Sequence, residues 1–152
     1  MQENNEKVVA IGCDHGGLCL REAVLKAVKE SGFSPLDFGT FTDASVDYPD
    51  YAEKVCKAVV DGKAKLGILM CGTGIGMSIY ANKVRGIRCA HVTDEFSGKM
   101  CRNHNDANVM AVGGRISTPD EVYTFVKAFL TEKFEGGRHK LRLDKLNKLD
   151  YN

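Results

Sequence analysis

Apolar residues along the chain form two kinds of pattern, short continuous runs and longer stretches with helical spacing. The short runs predict five β-strands, at residues 7–13, 34–38, 66–70, 88–92 and 108–112. The longer stretches predict helices at residues 18–30, 51–60, 75–84, 94–103 and 119–130. Strands and helices therefore alternate through most of the chain.

Alternating strands and helices joined by short loops predict a doubly wound, Rossmann-like α/β sandwich, with a five-stranded parallel sheet and helices on both faces. We expect one domain over residues 1–152, with a core at about 7–135. After Gly136 and Gly137, a helical tail at about 138–150 is expected to pack on its own domain or on a partner. Ligands of such sheets bind beyond the carboxyl ends of the strands, so residues that follow strands are the functional candidates.

Composition narrows the class of protein. The 152 residues carry 21 basic and 20 acidic side chains, a net charge of +1, so no overall field attracts nucleic acid or an anionic membrane. Hydrophobic residues make up 43%, which argues against disorder, and every apolar run is far shorter than a bilayer span. The polar start of the chain lacks a secretory pattern, so we expect a cytoplasmic protein. Its six cysteines contain no CxxC pair and are expected to be free thiols.

A glycine-rich loop follows the third predicted strand. Gly72, Gly74 and Gly76 let several backbone N–H groups converge at a helix N-terminus, which suits a phosphate, a carboxylate or an oxyanion. The loop reads GxGxG rather than the dinucleotide fingerprint GxGxxG, and the first loop has no Walker A lysine, so nicotinamide and nucleoside triphosphate binding are disfavoured. The alternative is that the glycines only permit a tight turn.

Cys71 lies directly before this loop. The helix dipole and the convergent N–H groups are expected to favour its thiolate, which would serve as a base or a nucleophile. A cysteine phosphatase needs an arginine six positions later, but that residue is Met77. An inert buried thiol is the alternative.

Other polar residues also follow strands. Asp14 and His15 suit proton transfer or hydroxyl binding, although Asp14 could instead cap the next helix. Residues 102–108 are rich in hydrogen-bonding groups but also resemble a surface loop. His91, inside the fourth predicted strand, is more typical of a core or interface histidine.

Two arginines lie in the predicted tail helix. Arg138 and Arg142 are four residues apart and share a helix face, where two guanidinium groups could hold a phosphate. A solvated cationic surface is the alternative reading.

Six short motifs occur in a characteristic order, and together they are highly specific. They are GCDH at 12–15, DYP at 47–49, CGTGIG at 71–76, HND at 104–106, GGR at 113–115 and GGRH at 136–139. With them the chain, from residue 8 to about 143, resembles the ribose-5-phosphate isomerase B and galactose-6-phosphate isomerase group of sugar-phosphate isomerases. The cysteine before GTGIG looks like the ribose-5-phosphate form, since other members use a glutamate a few positions later and residues 74–78 contain none.

The resemblance implies interconversion of D-ribose 5-phosphate and D-ribulose 5-phosphate through a cis-enediolate, in the pentose phosphate pathway, without metal or cofactor. It makes Cys71 the base, and His104 the group that opens the sugar ring with support from Asp14. It also implies that Thr73 and Asn105 hold sugar hydroxyls or the intermediate.

The resemblance further implies how charge is held and how subunits combine. Backbone groups of Gly72, Gly74, Ile75 and Gly76 would stabilise the intermediate, and the 5-phosphate would be bound by His15, Arg115, Arg138 and Arg142. The sites would be shared between the subunits of a homodimer, with a tetramer left open.

Three other functions stay open on the sequence. One is isomerisation of a six-carbon sugar phosphate such as galactose 6-phosphate or allose 6-phosphate. The second is a module that binds a sugar phosphate without chemistry, against which the thiol of Cys71 argues. The third is a redox sensor, which the absence of a neighbouring cysteine disfavours.

Overall fold

The computed structural model describes residues 5–151, in which parallel strands alternate with helices. The strands are β1 (Val8–Cys13), β2 (Ser34–Asp37), β3 (Leu66–Cys71), β4 (Cys89–His91) and β5 (Val109–Gly113). The α-helices are α1 (Arg21–Glu30), α2 (Tyr48–Val60), α3 (Ile75–Asn82), α4 (Glu95–Asn103), α5 (Pro119–Thr131) and α6 (Arg138–Asn147). Short 3-10 turns cover Asn5–Lys7, Leu18–Leu20 and Lys148–Tyr151.

The five strands form one parallel sheet in the order β2-β1-β3-β5-β4. Ile11, Ile68 and Met110 are in register across the three central strands. Every residue of β3 and β5 is buried, as expected for strands covered on both faces. The predicted doubly wound fold is confirmed.

Alternate residues of each strand point to opposite faces of the sheet and build two apolar cores. Ile11 and Ile68 pack in the core that α1, α4 and α5 cover. Ala10 and Leu69, their neighbours in sequence, pack in the core under α2 and α3. Full burial of one large apolar side chain contributes about 1.5–3 kcal/mol, so the two cores hold the helices to the sheet.

The direction of the connections opens a crevice at one edge of the sheet. The chain leaves β1 toward the face that α1 covers, and it leaves the neighbouring strand β3 toward the face that α3 covers. Adjacent strands whose connections diverge in this way leave room between their carboxyl ends, where ligands of this architecture bind.

Several element boundaries differ from the sequence predictions. Helix α2 begins at Tyr48, three residues before the expected start, because Pro49 fits the first turn of a helix. Residues 18–20 form a 3-10 turn before α1, and edge strand β4 has only three residues. At the start of α5, Thr118 and Glu121 form a reciprocal capping box.

Within residues 5–151, every helix falls short of the length and apolar character needed to cross a bilayer.

Candidate functional site

A cleft with a volume of about 630 Å³ opens at the carboxyl ends of the central strands. The loops that follow β1, β3 and β5 contribute to it, together with the segment that leads into α2. Its lining residues are Asp14, His15, Gly16, Val46, Asp47, Tyr48, Pro49, Asp50, Cys71, Gly72, Thr73, Gly76 and Arg115. Six predicted site residues thus line one cleft although they come from three separate loops: Asp14, His15, Cys71, Gly72, Thr73 and Arg115. Gly76 joins them from the first turn of α3.

Cys71 is the last residue of β3 and lies at the base of the cleft. The residue is only 4% exposed, and its Sγ accepts a hydrogen bond of 3.1 Å from the backbone N–H of Gly74. Cys71 packs in the core under α2 and α3 and also contributes to the wall of the cleft. The sulfur has a hydrogen-bond donor from the start of α3 within reach.

Gly74 directs this donor because its backbone is left-handed, with φ +83° at the N-cap of α3. A Cβ atom at this position would lie 2.8 Å from Cδ2 of His91. The His91 ring is exposed rather than buried in the core, and its Nε2 lies 2.7 Å from the carbonyl oxygen of Thr73. His91 therefore supports the glycine loop from the end of β4, a role that the sequence did not indicate.

Asp14 and His15 each accept hydrogen bonds from backbone N–H groups of the cleft loops through one side-chain atom. Oδ1 of Asp14 accepts hydrogen bonds of 2.8 Å and 3.1 Å from the backbone N–H groups of Gly16 and Gly17. Nδ1 of His15 accepts from the N–H of Val46 at 3.2 Å, which places the hydrogen of the neutral ring on Nε2. Asp14 thus holds the loop after β1 rather than capping a helix, since neither the Leu18–Leu20 turn nor α1 has a side-chain cap.

Arg115 brings a positive charge to the glycine loop. A Cβ atom on Gly72 would lie 2.8 Å from Nη1 of Arg115, so the guanidinium packs directly against the Gly72 backbone. Arg115 is an exposed residue. The cleft therefore has a cation beside the glycine loop, which suits an anionic ligand.

Tyr48 forms part of the cleft wall, although no role was predicted for this residue from the sequence. Its ring covers Gly76, where a Cβ atom would lie 2.5 Å from the ring carbon Cζ. The DYP motif at 47–49 was the available signal. Its meaning depends on the packing of α2 against α3, which brings residues 48 and 76 together.

Four predicted site residues lie away from this cleft in the single chain. Asn105 lines a separate cavity of about 420 Å³, whose lining residues also include Leu146 and Leu149. Arg138 and Arg142 are exposed on α6, and His104 caps the C-terminus of α4.

His104 instead belongs to a cluster with Glu135 and His139. The rings of the two histidines stack with their centroids 4.1 Å apart and their planes 11° from parallel. Oε2 of Glu135 lies 3.8 Å from Nε2 of His104 and 3.5 Å from Nε2 of His139. Nothing in the sequence pattern singled out Glu135, which lies in the connection between α5 and α6.

His139 is the buried member of this cluster, with only 6% of the residue exposed. Its Nε2 has no hydrogen-bond partner within the part of the chain that the structure describes. Burial, followed by the charges of His104 and Arg138, lowers the pKa of His139. The three side chains together offer two nitrogens and an oxygen that lie within 4.8 Å of one another.

Comparisons with known proteins agree with this architecture. A family model described as Ribose/Galactose Isomerase matches residues 9–146. Ribose-5-phosphate isomerase B of Escherichia coli is 40% identical over 144 residues, which cover 95% of this chain and 97% of that protein.

Two solved structures are similar over nearly their whole length. Ribose-5-phosphate isomerase B of Clostridium thermocellum has a TM-score of 0.91 at 43% identity, covering 95% of this chain and 97% of that one. The Mycoplasma genitalium ribose-5-phosphate isomerase B with bound ribulose-5-phosphate has a TM-score of 0.89 at 38% identity, again covering 95% and 97% of the two chains.

Proposed function

The chain belongs to the ribose/galactose isomerase family, and from this premise we propose that it interconverts D-ribose 5-phosphate and D-ribulose 5-phosphate as an enzyme of the pentose phosphate pathway. The observation that carries the proposal is the position of Cys71, which contributes to the cleft wall while its Sγ accepts a hydrogen bond from the N–H of Gly74. The similar M. genitalium protein with bound ribulose-5-phosphate supports the same substrate class.

The reaction moves one proton between neighbouring carbons and uses no metal or cofactor. After His104 opens the ring with support from Asp14, the thiolate of Cys71 takes the proton from C2, which leaves a cis-enediolate. The same sulfur then delivers the proton to C1, and the hydroxyl proton of O2 passes to O1, which gives the ketose. The N–H of Gly74 lies 3.1 Å from this sulfur, at the N-terminus of α3.

The charge that develops on the substrate oxygen is met by the glycine loop. Backbone N–H groups of Gly72, Gly74, Ile75 and Gly76 serve as an oxyanion hole, in which one donor is typically worth about 3 kcal/mol. For this the N–H of Gly74 must leave the Cys71 sulfur, and the N–H of Ile75 must leave Oγ1 of Thr73. Thr73 holds a sugar hydroxyl or the intermediate at the same loop.

The 5-phosphate is bound by His15 and Arg115 of one chain together with Arg138 and Arg142 of a second copy. His104 and Asn105 also reach the cleft from that copy. Their separation from the cleft within one chain supports a homodimer, as do Leu141 and Leu146, which α6 leaves 68% and 50% exposed. A tail at 138–150 that serves the partner explains why arginines on it would contact substrate.

The cytoplasm is the proposed location. The cysteines of the described residues are all free thiols, which suits a reducing compartment.

An isomerase assay with a chelator present tests the proposed function. The purified chain is expected to equilibrate ribose 5-phosphate and ribulose 5-phosphate, with a larger kcat/KM than on galactose 6-phosphate or allose 6-phosphate. Cys71→Ala is expected to lower kcat by a factor of about 100 to 10,000, the usual contribution of a positioned general base. Cys19→Ala, which removes an exposed thiol, is the matched control.

Exchange with deuterated water separates catalysis from binding. The wild-type chain is expected to place deuterium on the reacting carbon of the substrate, whereas a binding module would leave it unlabelled. Full activity in Cys71→Ala would contradict the assigned base.

A further inference from the structure

We propose that His104, Glu135 and His139 form a zinc site, and that Zn²⁺ bound there inhibits the isomerase. The inhibition depends on the function proposed above, whereas metal binding does not.

The spacing of the three side chains fits a metal better than hydrogen bonds. The Glu135 oxygen lies 3.8 Å and 3.5 Å from the two imidazole nitrogens, longer than the 2.7–3.2 Å of ordinary N–H···O hydrogen bonds. Ligands about 2.1 Å from a tetrahedral zinc ion are about 3.4 Å from one another. A zinc ion can therefore occupy the centre of the cluster once the two stacked rings tilt, because the lone pair of each nitrogen lies in the plane of its ring.

A buried nitrogen without a hydrogen-bond partner also indicates a metal at this cluster. The side chain of His139 is 7% exposed, and its Nε2 faces Glu135 without a hydrogen bond in the described chain. Buried polar atoms are nearly always satisfied in folded proteins. A metal ion would satisfy this nitrogen, while the half-exposed Glu135 leaves a path from solvent.

The backbone already holds the three ligands in position. The N–H of Glu135 donates to the carbonyl of Asn103 at 3.0 Å, and the N–H of His104 donates to Met100 at 2.8 Å. The Asn103 side chain is buried and donates to the carbonyl of Lys133 at 2.7 Å, which ties the connection between α5 and α6 to the end of α4. Little ordering is needed when the metal binds.

The donor set favours zinc over Mg²⁺ and Ca²⁺. Two imidazoles and one carboxylate form a recurring zinc set that leaves the fourth position for water, whereas Mg²⁺ and Ca²⁺ prefer oxygen ligands. Zinc bound to His104 would prevent this residue from acting in the ring opening proposed for it. The expected result is loss of turnover of the cyclic sugar.

Nuclear magnetic resonance of the imidazole groups tests binding directly. When the full chain is titrated with Zn²⁺, the signals of His104 and His139 are expected to shift together, while those of His15 and His91 stay in place. Shifts confined to His15 or His91, or no shift at all, would overturn the site whether or not the chain is an isomerase.

A pair of variants tests the inhibition. Glu135→Gln is expected to raise the Zn²⁺ concentration for half-inhibition about tenfold or more, since even indirect partners of a metal contribute a factor of about 10–100. Asp144→Asn, an exposed acidic residue on α6, is the control and should change nothing. Equal sensitivity in both variants would place the metal on a thiol such as Cys71 and refute the proposal. Imidazole shifts without inhibition would refute its regulatory half.

Discussion

The backbone conformation of Gly74 matters for the chemistry of the cleft. Its left-handed φ of +83° aims an N–H group at the Cys71 sulfur, and His91 fills the space that a side chain would need. A larger residue at position 74 would therefore be destabilised both by backbone strain and by crowding against His91.

Gly74→Ala is expected to destabilise the fold by more than the roughly 1–2 kcal/mol that a left-handed alanine costs, and to lower kcat. Gly62→Ala is the matched control, because Gly62 has φ +76° and open space around its Cβ position. Urea denaturation of both variants separates the two causes. Equal losses of stability in the two variants would mean that crowding against His91 does not destabilise Gly74→Ala.

Buried thiols make stability fall at high pH. Burial raises the pKa of Cys13 to about 12 and those of Cys56 and Cys101 to about 11, from the ordinary 9.0. The folded chain therefore keeps protons that the unfolded chain releases above pH 9, so the free energy of unfolding declines as the pH rises from 9 toward 11. Urea midpoints across this range measure the decline.

Cys56→Ala removes one of these thiols and should make the pH dependence shallower, although the variant is less stable at every pH. A slope identical to that of the wild-type chain would contradict the assignment for Cys56.

Helix α5 shows how a local motif sets the start of an element. Thr118 accepts a hydrogen bond from the N–H of Glu121 at 3.2 Å, and the Glu121 carboxylate accepts one from the N–H of Thr118 at 3.0 Å. Thr118→Ala is expected to cost about 1 kcal/mol of stability, measured by urea denaturation. Thr131→Ala, at the other end of α5, loses only a bond to the carbonyl of Lys127 and should cost less. The reverse order would show that the cap does not stabilise the helix.

For the whole molecule, the proposed sharing of sites between subunits has a distinctive consequence. Cys71→Ala and His104→Asn are each expected to be nearly inactive alone. A mixed dimer of the two has one site in which both residues are intact, if the site takes them from different subunits. Random reassembly of equal amounts makes half of the dimers mixed and half of their sites intact, so about a quarter of wild-type activity should return.

Unfolding and refolding the two variants together, with each refolded alone as control, measures this recovery. No recovery in the mixture would mean that Cys71 and His104 act within one chain. The proposed boundary between a core and a tail at 138–150 would then lose its functional basis.

Most of the fold was predictable because its signals are local. Continuous apolar runs such as Leu66–Cys71 mark buried strands, and Thr118 with Glu121 marks the start of a helix within four residues of sequence. Loops that follow parallel strands lie at one edge of a sheet, so the gathering of Asp14 with Cys71 followed from the order of the elements.

The sequence pattern did not predict the contacts between elements that pack against one another. The ring of Tyr48 covers Gly76 because α2 packs on α3, and Glu135 faces His104 because Asn103 ties two distant segments together. Local patterns decided which segments are strands and helices, since periodicity and capping act over a few residues. Packing of the two cores decided which side chains meet across tens of residues, because such contacts depend on strand order and helix placement.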